Sequence, residues 1–418
     1  MVCITNLSKA QNNNTSSPFS VFGVGELSNY STGRSNTMGG TSIGMRFRDQ
    51  INPVNPASYS ARDSMSMVFE MGFSGKQTRF VANGSENNTN DSNFDYIALS
   101  FRIHDGIALA FGLQPYSNKG YSASATQELV NSNQATTSYV GDGSITKFFM
   151  GTGVKLMKNL SLGVNANYYF GNLSDQTVTD IKDPTAADTY NQITNRIRGI
   201  GFETGLQYQL NLKNNKQLVL GAVVNLQSNL KREAEDFRYS QTYVSTGTST
   251  TAVIDTISYS KGDRNDVKIP LGLGVGVSYI NPDKLTIAAD LFTQDWSSFE
   301  NIGLNNANVQ YTRKTVASAG VEWIPEKFSL KNYFKRVSYR AGVKMENDYF
   351  TYNNNNVRTY AVTAGFGFPI ARQRSTLNVG IEFGTKGSVS NTLIRQDYTK
   401  LYISFALHDY WFFKRKIE

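Results

Sequence analysis

Seven ionisable residues sit where a strand pattern would point them away from the apolar side: Glu70, Arg102, Glu203, Asp290, Arg340, Lys344 and Glu382. Carboxylates and cations interleaved in this way suit two kinds of chemistry. They can line a polar passage that binds a plug or guides a solute, or they can pair with one another and fill an interior. Asp290, Glu203 and Glu382 could also be arranged as an acid pair, but any polar barrel lining offers such pairs. Catalytic signatures are missing. The chain has no Gly-x-Ser-x-Gly, no phosphate-cradling glycine loop and no metal-ligand spacing, and its histidines are only His104 and His408. The reading is therefore of a non-enzyme with no cofactor and no metal site.

The elements that position these residues alternate with period two. Met65, Met67, Phe69, Met71 and Phe73 form one face of a first strand, with Glu70 and Gly72 opposite. The pattern recurs near 94–103, 107–115, 145–156, 160–170, 196–210, 216–230, 269–279, 284–296, 309–323, 336–346, 357–369, 375–386 and 398–413. That makes about fourteen strands, an even number in the range of bacterial membrane barrels. In the eighth, Ile269, Leu271, Leu273, Val275, Val277 and Tyr279 face one way and Gly272, Gly274 and Gly276 the other. Three glycines along one inner wall call for something to come close, with plug backbone the first expectation and a solute path the second.

Connections alternate between short turns, such as His104-Asp105-Gly106, and long polar stretches near 77–93, 116–144, 171–195, 231–266, 298–308, 347–356 and 387–397. This is the asymmetry of an outer-membrane barrel, with periplasmic turns and extracellular loops. The turn at 324–335 is the longest on the short side and fits that scheme least well. Val253, Ile254, Ile257 and Tyr259 suggest a hairpin within 231–266. Tyr168 to Phe170, Trp296, Trp323 and Phe412 lie near strand ends and read as interfacial girdles.

Composition agrees. No run of 18 apolar residues encodes a transmembrane helix. Mean hydropathy is −0.37, which a barrel tolerates because only alternate residues meet lipid. The net charge of +8 is scattered, apart from Lys414-Arg415-Lys416, and reads as solvated turns and a polar lumen, not a nucleic-acid surface. The single cysteine, Cys3, excludes an internal disulfide framework. Residues 1–10 look like the tail of a signal peptide, 11–64 form an irregular Gly-, Ser- and Asn-rich plug, 65–413 the barrel, and 414–418 a basic periplasmic tail.

Several stretches resemble the FadL-like outer-membrane transporters of long-chain fatty acids and other hydrophobic compounds. They are Met38-Gly39-Gly40; Asn55-Pro56-Ala57; Gly151-Thr152-Gly153-Val154-Lys155 with Asn159-Leu160-Ser161-Leu162-Gly163; Ile269-Pro270-Leu271-Gly272-Leu273-Gly274; Ala289-Asp290 followed by Trp296-Ser297-Ser298-Phe299; and Tyr339-Arg340-Ala341-Gly342. The resemblance implies a fourteen-stranded antiparallel β-barrel in the Gram-negative outer membrane, with an N-terminal hatch in its lumen. It implies an apolar ligand held between hatch and wall and released sideways into the membrane at a kinked third strand, which Gly106, Gly112 and Pro115 would bracket. The hatch motif is doubled here, Asn52-Pro53 preceding Asn55-Pro56-Ala57. Such barrels also serve as non-transporting subunits of protein secretion or assembly complexes. The long loops, or the basic tail, would then meet protein partners. An apolar pocket against the hatch favours transport, and a filled lumen favours the subunit.

Overall fold

The computed structural model describes residues 14–28, 31–82, 84–128, 134–182, 186–246, 249–303, 308–370, 375–392 and 394–410. The signal-peptide-like segment with Cys3, the turn at 371–374, Phe412 and the basic tail lie outside them.

Fourteen antiparallel strands close into one ring. They are β1 (Ser66–Ala82), β2 (Ser85–His104), β3 (Ile107–Glu128), β4 (Gln134–Lys155), β5 (Leu160–Ile181), β6 (Asp188–Asn211), β7 (Gln217–Asn225 continuing as Ser228–Thr246) and β8 (Ser249–Ile269 continuing as Gly272–Asn281). Then come β9 (Leu285–Asp295), β10 (Val309–Tyr311 continuing as Arg313–Trp323), β11 (Ser338–Tyr352), β12 (Asn355–Ile370), β13 (Ser375–Gly387) and β14 (Arg395–Tyr410). Each strand pairs with its neighbour in sequence, and β14 closes on β1 from Tyr410↔Ser66 to Arg395↔Val81. Closure pairs the strands around the ring, where water cannot satisfy backbone groups, except where β2 and β3 part beyond Ile97↔Leu113.

The stretches expected as long loops are largely strand. β3 and β4 continue as a paired hairpin to Glu128↔Gln134, and β7 and β8 pair up to Thr246↔Ser249. Outside the bilayer both faces of a strand meet water, so Thr-, Ser- and Asn-rich sequence holds the ladder without an apolar period to reveal it. Between β11 and β12 the expected loop shrinks to Asn353-Asn354, both with positive φ, the conformation a tight hairpin requires. Two facing assignments change. Ile269 is buried, because the strand breaks at Pro270-Leu271. Trp296 is 0 % exposed and packs inside the ring with Tyr349 and Phe299, so it is not an interfacial residue.

The interior is occupied by the N-terminal segment, which contains short helical turns at Pro18–Val21, Gly33–Asn36 and Pro56–Ala61. Apolar burial lies inside the ring, as the lipid-facing residues Leu273, Val275, Ile287 and Val343 are exposed. Three buried clusters stack there. One, toward the long hairpins, holds Phe19, Phe22, Tyr116, Trp296, Tyr349 and Phe350. A second holds Ile51, Tyr59, Val68, Tyr96 and Phe149, and a third Met38, Met45 and Phe47.

Candidate functional site

The interior begins with glycines. Nine strands, β4 to β8 and β10 to β13, each turn a glycine inward at one level: Gly153, Gly163, Gly205, Gly221, Gly276, Gly320, Gly342, Gly365 and Gly380. They face one another across the sheet as Gly153↔Gly163↔Gly205, Gly276↔Gly221, Gly320↔Gly342 and Gly365↔Gly380. The N-terminal segment lies on this belt in chain order. Thr37 covers Gly365 and Gly380; Met38 and Gly39 cover Gly320 and Gly342; Ile43 and Gly44 cover Gly221 and Gly276; Asn55, Pro56 and Ala57 cover Gly205 and Gly163; Tyr59 and Ser60 reach Gly153. A Cβ at almost any of these positions would overlap the segment: its backbone lies on Gly153, Gly163, Gly221, Gly276, Gly320 and Gly342, and the side chains of Thr37 and Asn55 on Gly365, Gly380 and Gly205.

Polar contacts then fix the segment to the wall. The Asp290 carboxylate accepts the backbone N–H groups of Ser42 (2.5 Å), Ile43 (2.7 Å) and Gly44 (3.4 Å). Gly39 donates its N–H to Thr363 Oγ1 at 2.9 Å. The doubled Asn-Pro motif divides its work. Asn52 donates to Ser42 O and Met45 O and so folds the segment on itself. Asn55 donates to Ile43 O and to Leu206 O of the wall, while its Oδ1 caps Ala57 N. Pro53 O accepts from Asn165 of β5 at 2.9 Å. Ala57 O accepts from Arg46, whose guanidinium is pushed down to about 10 by burial and by neighbouring Arg48.

The inward ionisable residues pair closely. Glu70 accepts Ile51 N–H at 2.6 Å and the Tyr96 hydroxyl. Glu203 pairs with Lys147 (3.0 Å), and Arg340 with Glu322 (2.6 Å) and Asn378 (2.7 Å). Glu322 also meets Arg34 of the segment. Lys344 reaches Glu382, which accepts the hydroxyls of Tyr398 and Tyr402. Arg102 lies at the short-turn rim and holds Arg62 O, His104 O and Asp105. Gly274 and Gly276 face Ile43 and Gly44, whereas the space beside Gly272 is taken by Phe292 of β9 instead of the segment.

The ring has a broken seam between β2 and β3. β2 and β3 pair from His104↔Ile107 only as far as Ile97↔Leu113. Beyond that, a bulge at Tyr116 turns this ring inward against Tyr169, centroids 5.0 Å apart. Gly106, with φ +71°, makes the tight β2–β3 turn, and Gly112 pairs with Ala98 within the ladder, so of the three proposed gate residues only Pro115 adjoins the bend. The chain's own residues 14–28 occupy the separated edges. Glu26 and Leu27 add a two-residue strand to β3, opposite Asn118 and Ser117. Ser16 donates to Asp91 of β2, and Asn93 of β2 donates to Asn14 O. Glu26 is held by Lys386 (3.2 Å). Burial would raise its carboxyl, but Lys76 and Lys386 outweigh that and hold it well below the usual range.

Space inside is scarce. A polar cavity of about 140 Å³ beside the seam is lined by Lys76, Gln114, Glu382 and Lys386, and one of about 100 Å³ adjoins Asp290 and Phe292. Both are smaller than the roughly 300–1,000 Å³ of ordinary ligand pockets. A hollow of about 1000 Å³ lies on the outer wall around Val343, Val362 and Phe383. Among the described residues, no group of three or more His, Cys, Asp or Glu is placed to hold a metal ion.

In fold, this architecture is similar to that of FadL-like barrels. Solved structures similar to the chain include the Pseudomonas putida toluene transporter TodX (TM-score 0.60, 15 % identity, 92 % of this chain and 99 % of that one). Others are the Ralstonia pickettii toluene transporter TbuX (0.57, 15 %, 90 % and 98 %) and a Pseudomonas aeruginosa FadL homologue (0.56, 10 %, 92 % and 99 %). At such identities the likeness is one of fold. No curated protein matches. The family is given by sequence: the BamG family model matches residues 1–418, and the chain belongs to the BamG family.

Proposed function

We propose that this protein works with its lumen shut, as a barrel subunit of an outer-membrane protein secretion or assembly complex, acting through its surfaces and long hairpins. The observation that carries this reading is the filling of the interior at successive levels. Aromatic packing around Trp296, Tyr349 and Phe350 takes the volume next to the long hairpins, and the segment on the glycine belt fills the ring below. Paired charges occupy what remains, leaving no apolar chamber of ligand size among the described residues. Affinity purification from detergent-solubilised membranes tests it. A stoichiometric protein partner is expected, and deleting the gene should leave uptake of apolar compounds unchanged.

A second reading is favoured by the seam between β2 and β3. There a hydrophobic compound would leave laterally into the bilayer once residues 14–28 moved aside, and the fold neighbours named as toluene transporters support it. Loss of uptake of an aromatic hydrocarbon in the deletion strain, with no co-purifying partner, would replace the first reading by this one.

A further inference from the structure

The β10–β11 turn, residues 324–337, is the longest short-side turn among the described residues. It exposes Phe328 (75 %), Leu330 (100 %) and Phe334 (67 %), with Tyr333 half exposed beside them. These alternate with Lys327, Lys331, Lys335 and Arg336 against the single acid Glu326. Lys327 pairs with Asp283 and Lys335 with Glu326, while Arg336 lies 5.1 Å from the Tyr333 ring centroid. Lys331 and Arg336 have no carboxylate partner among the described residues. Such an apolar cluster in water would be costly, and a turn needs none of it.

The shape of the turn is fixed. Asn332 accepts Phe334 N–H, the Tyr333 hydroxyl donates to Pro369 O, and the Tyr339 hydroxyl donates to Phe334 O. These bonds tie it to the ends of β11 and β12. There Trp323, Tyr339 and Phe366 form a lipid-side row with centroids 5.8 and 5.7 Å apart. Trp and Tyr in such rows mark the bilayer boundary. The turn continues that boundary outward, with apolar tips and basic flanks, the pattern of a segment lying in a membrane interface.

We propose that residues 324–337 are a membrane foot: Phe328, Leu330 and Phe334 enter the acyl region of the leaflet on the short-turn side, and Lys331 and Arg336 meet anionic phospholipid headgroups. The occupant is lipid and not a periplasmic protein, because the patch is continuous with the lipid-facing aromatic row and its unpaired charges are all basic. The inference does not depend on whether the lumen conducts.

The test uses the full chain with Leu330→Trp, reconstituted in vesicles of brominated phosphatidylglycerol or brominated phosphatidylcholine, with the unsubstituted protein as background. Heat-dependent gel mobility confirms that each variant is a folded barrel. The added emission should be blue-shifted and quenched in both lipids, more strongly in the anionic one, and Lys331→Gln with Arg336→Gln should remove that difference. Emission that stays unquenched in both lipids would place the turn in water and overturn the proposal. So would a photo-crosslinker at position 330 that yields one discrete protein adduct in whole cells, since a partner would then cover the turn.

Discussion

The two halves of the N-terminal segment are held by opposite means. Residues 37–60 lie on glycines, mostly by backbone and at three of them by the side chains of Thr37 and Asn55, with Asp290, Thr363, Asn165 and Gln207 gripping their backbone groups from the wall. Residues 14–28 sit at the broken seam, held by two backbone pairs to β3, by side-chain bonds and the Glu26–Lys386 pair, and by Phe19, Phe22 and Val24 buried in the aromatic cluster, where the Tyr349 hydroxyl donates to Phe22 O and Gly25 O. The first half is woven into nine strands and cannot leave without emptying the barrel. The second bridges the seam and the aromatic cluster next to the long hairpins. A cork and a latch are thus made from one stretch of chain, and the latch, which spans fewer strands, is the easier of the two to move.

The largest effect should come from filling the belt. A side chain at Gly342 would overlap Gly39, and one at Gly163 would overlap Pro56 and Ala57, both backbone that cannot swing away. Overpacking of this kind costs about 1–3 kcal/mol, occasionally more. Gly342→Val together with Gly163→Val should therefore prevent the heat-modifiable barrel from forming, as read by gel mobility. A folded double variant of wild-type stability would show that the segment does not rest on the belt.

Next is the clamp. Asp290→Ala leaves the N–H groups of Ser42, Ile43 and Gly44 without their acceptor in a buried site. An unsatisfied buried donor costs about 1–3 kcal/mol, so the urea midpoint should fall clearly. Asp290→Asn keeps one acceptor oxygen and should lose less. Equal losses would mean that the carboxylate's charge, not its geometry, holds the segment.

Most of the wall was legible in the sequence because lipid on one face and protein on the other impose period two, as in Leu160 to Phe170. The polar hairpin extensions were not, since water on both faces erases that signal around Thr136 or Ser240. Gly272, Gly274 and Gly276 announced a close approach along one strand. The belt across nine strands was equally present, as one inward glycine per strand, but only cross-strand register brings Gly163 opposite Gly205 or Gly320 opposite Gly342. Trp296 misled because its place near a strand end resembles a girdle position, and nothing local shows that the following residues turn inward.

The latch should respond more gently. Deleting residues 14–28 uncovers the β3 edge and takes Phe19, Phe22 and Val24 out of the aromatic cluster, but leaves residues 37–60 on the belt. The variant should still fold as a barrel and, like the unaltered protein measured beside it, should carry no steady current across a planar bilayer. A sustained conductance would show that the latch, and not the cork, is the seal, and would favour the transport reading.

The smallest effect belongs to Glu26. Its carboxyl is held below the ordinary 4.5 in the folded chain, because Lys76 and Lys386 outweigh burial. A depressed folded value contributes stability that is fully present above 4.5 and is lost as pH falls through the lower folded value. Glu26→Gln should therefore speed amide exchange in residues 14–28 at pH 7, and the difference from wild type should shrink progressively as pH falls below 4.5, while exchange in residues 37–60 stays unchanged throughout. If Glu26→Gln loosened residues 37–60 as well, the two halves would be one cooperative unit, and a latch that opens over a fixed cork would no longer describe the molecule.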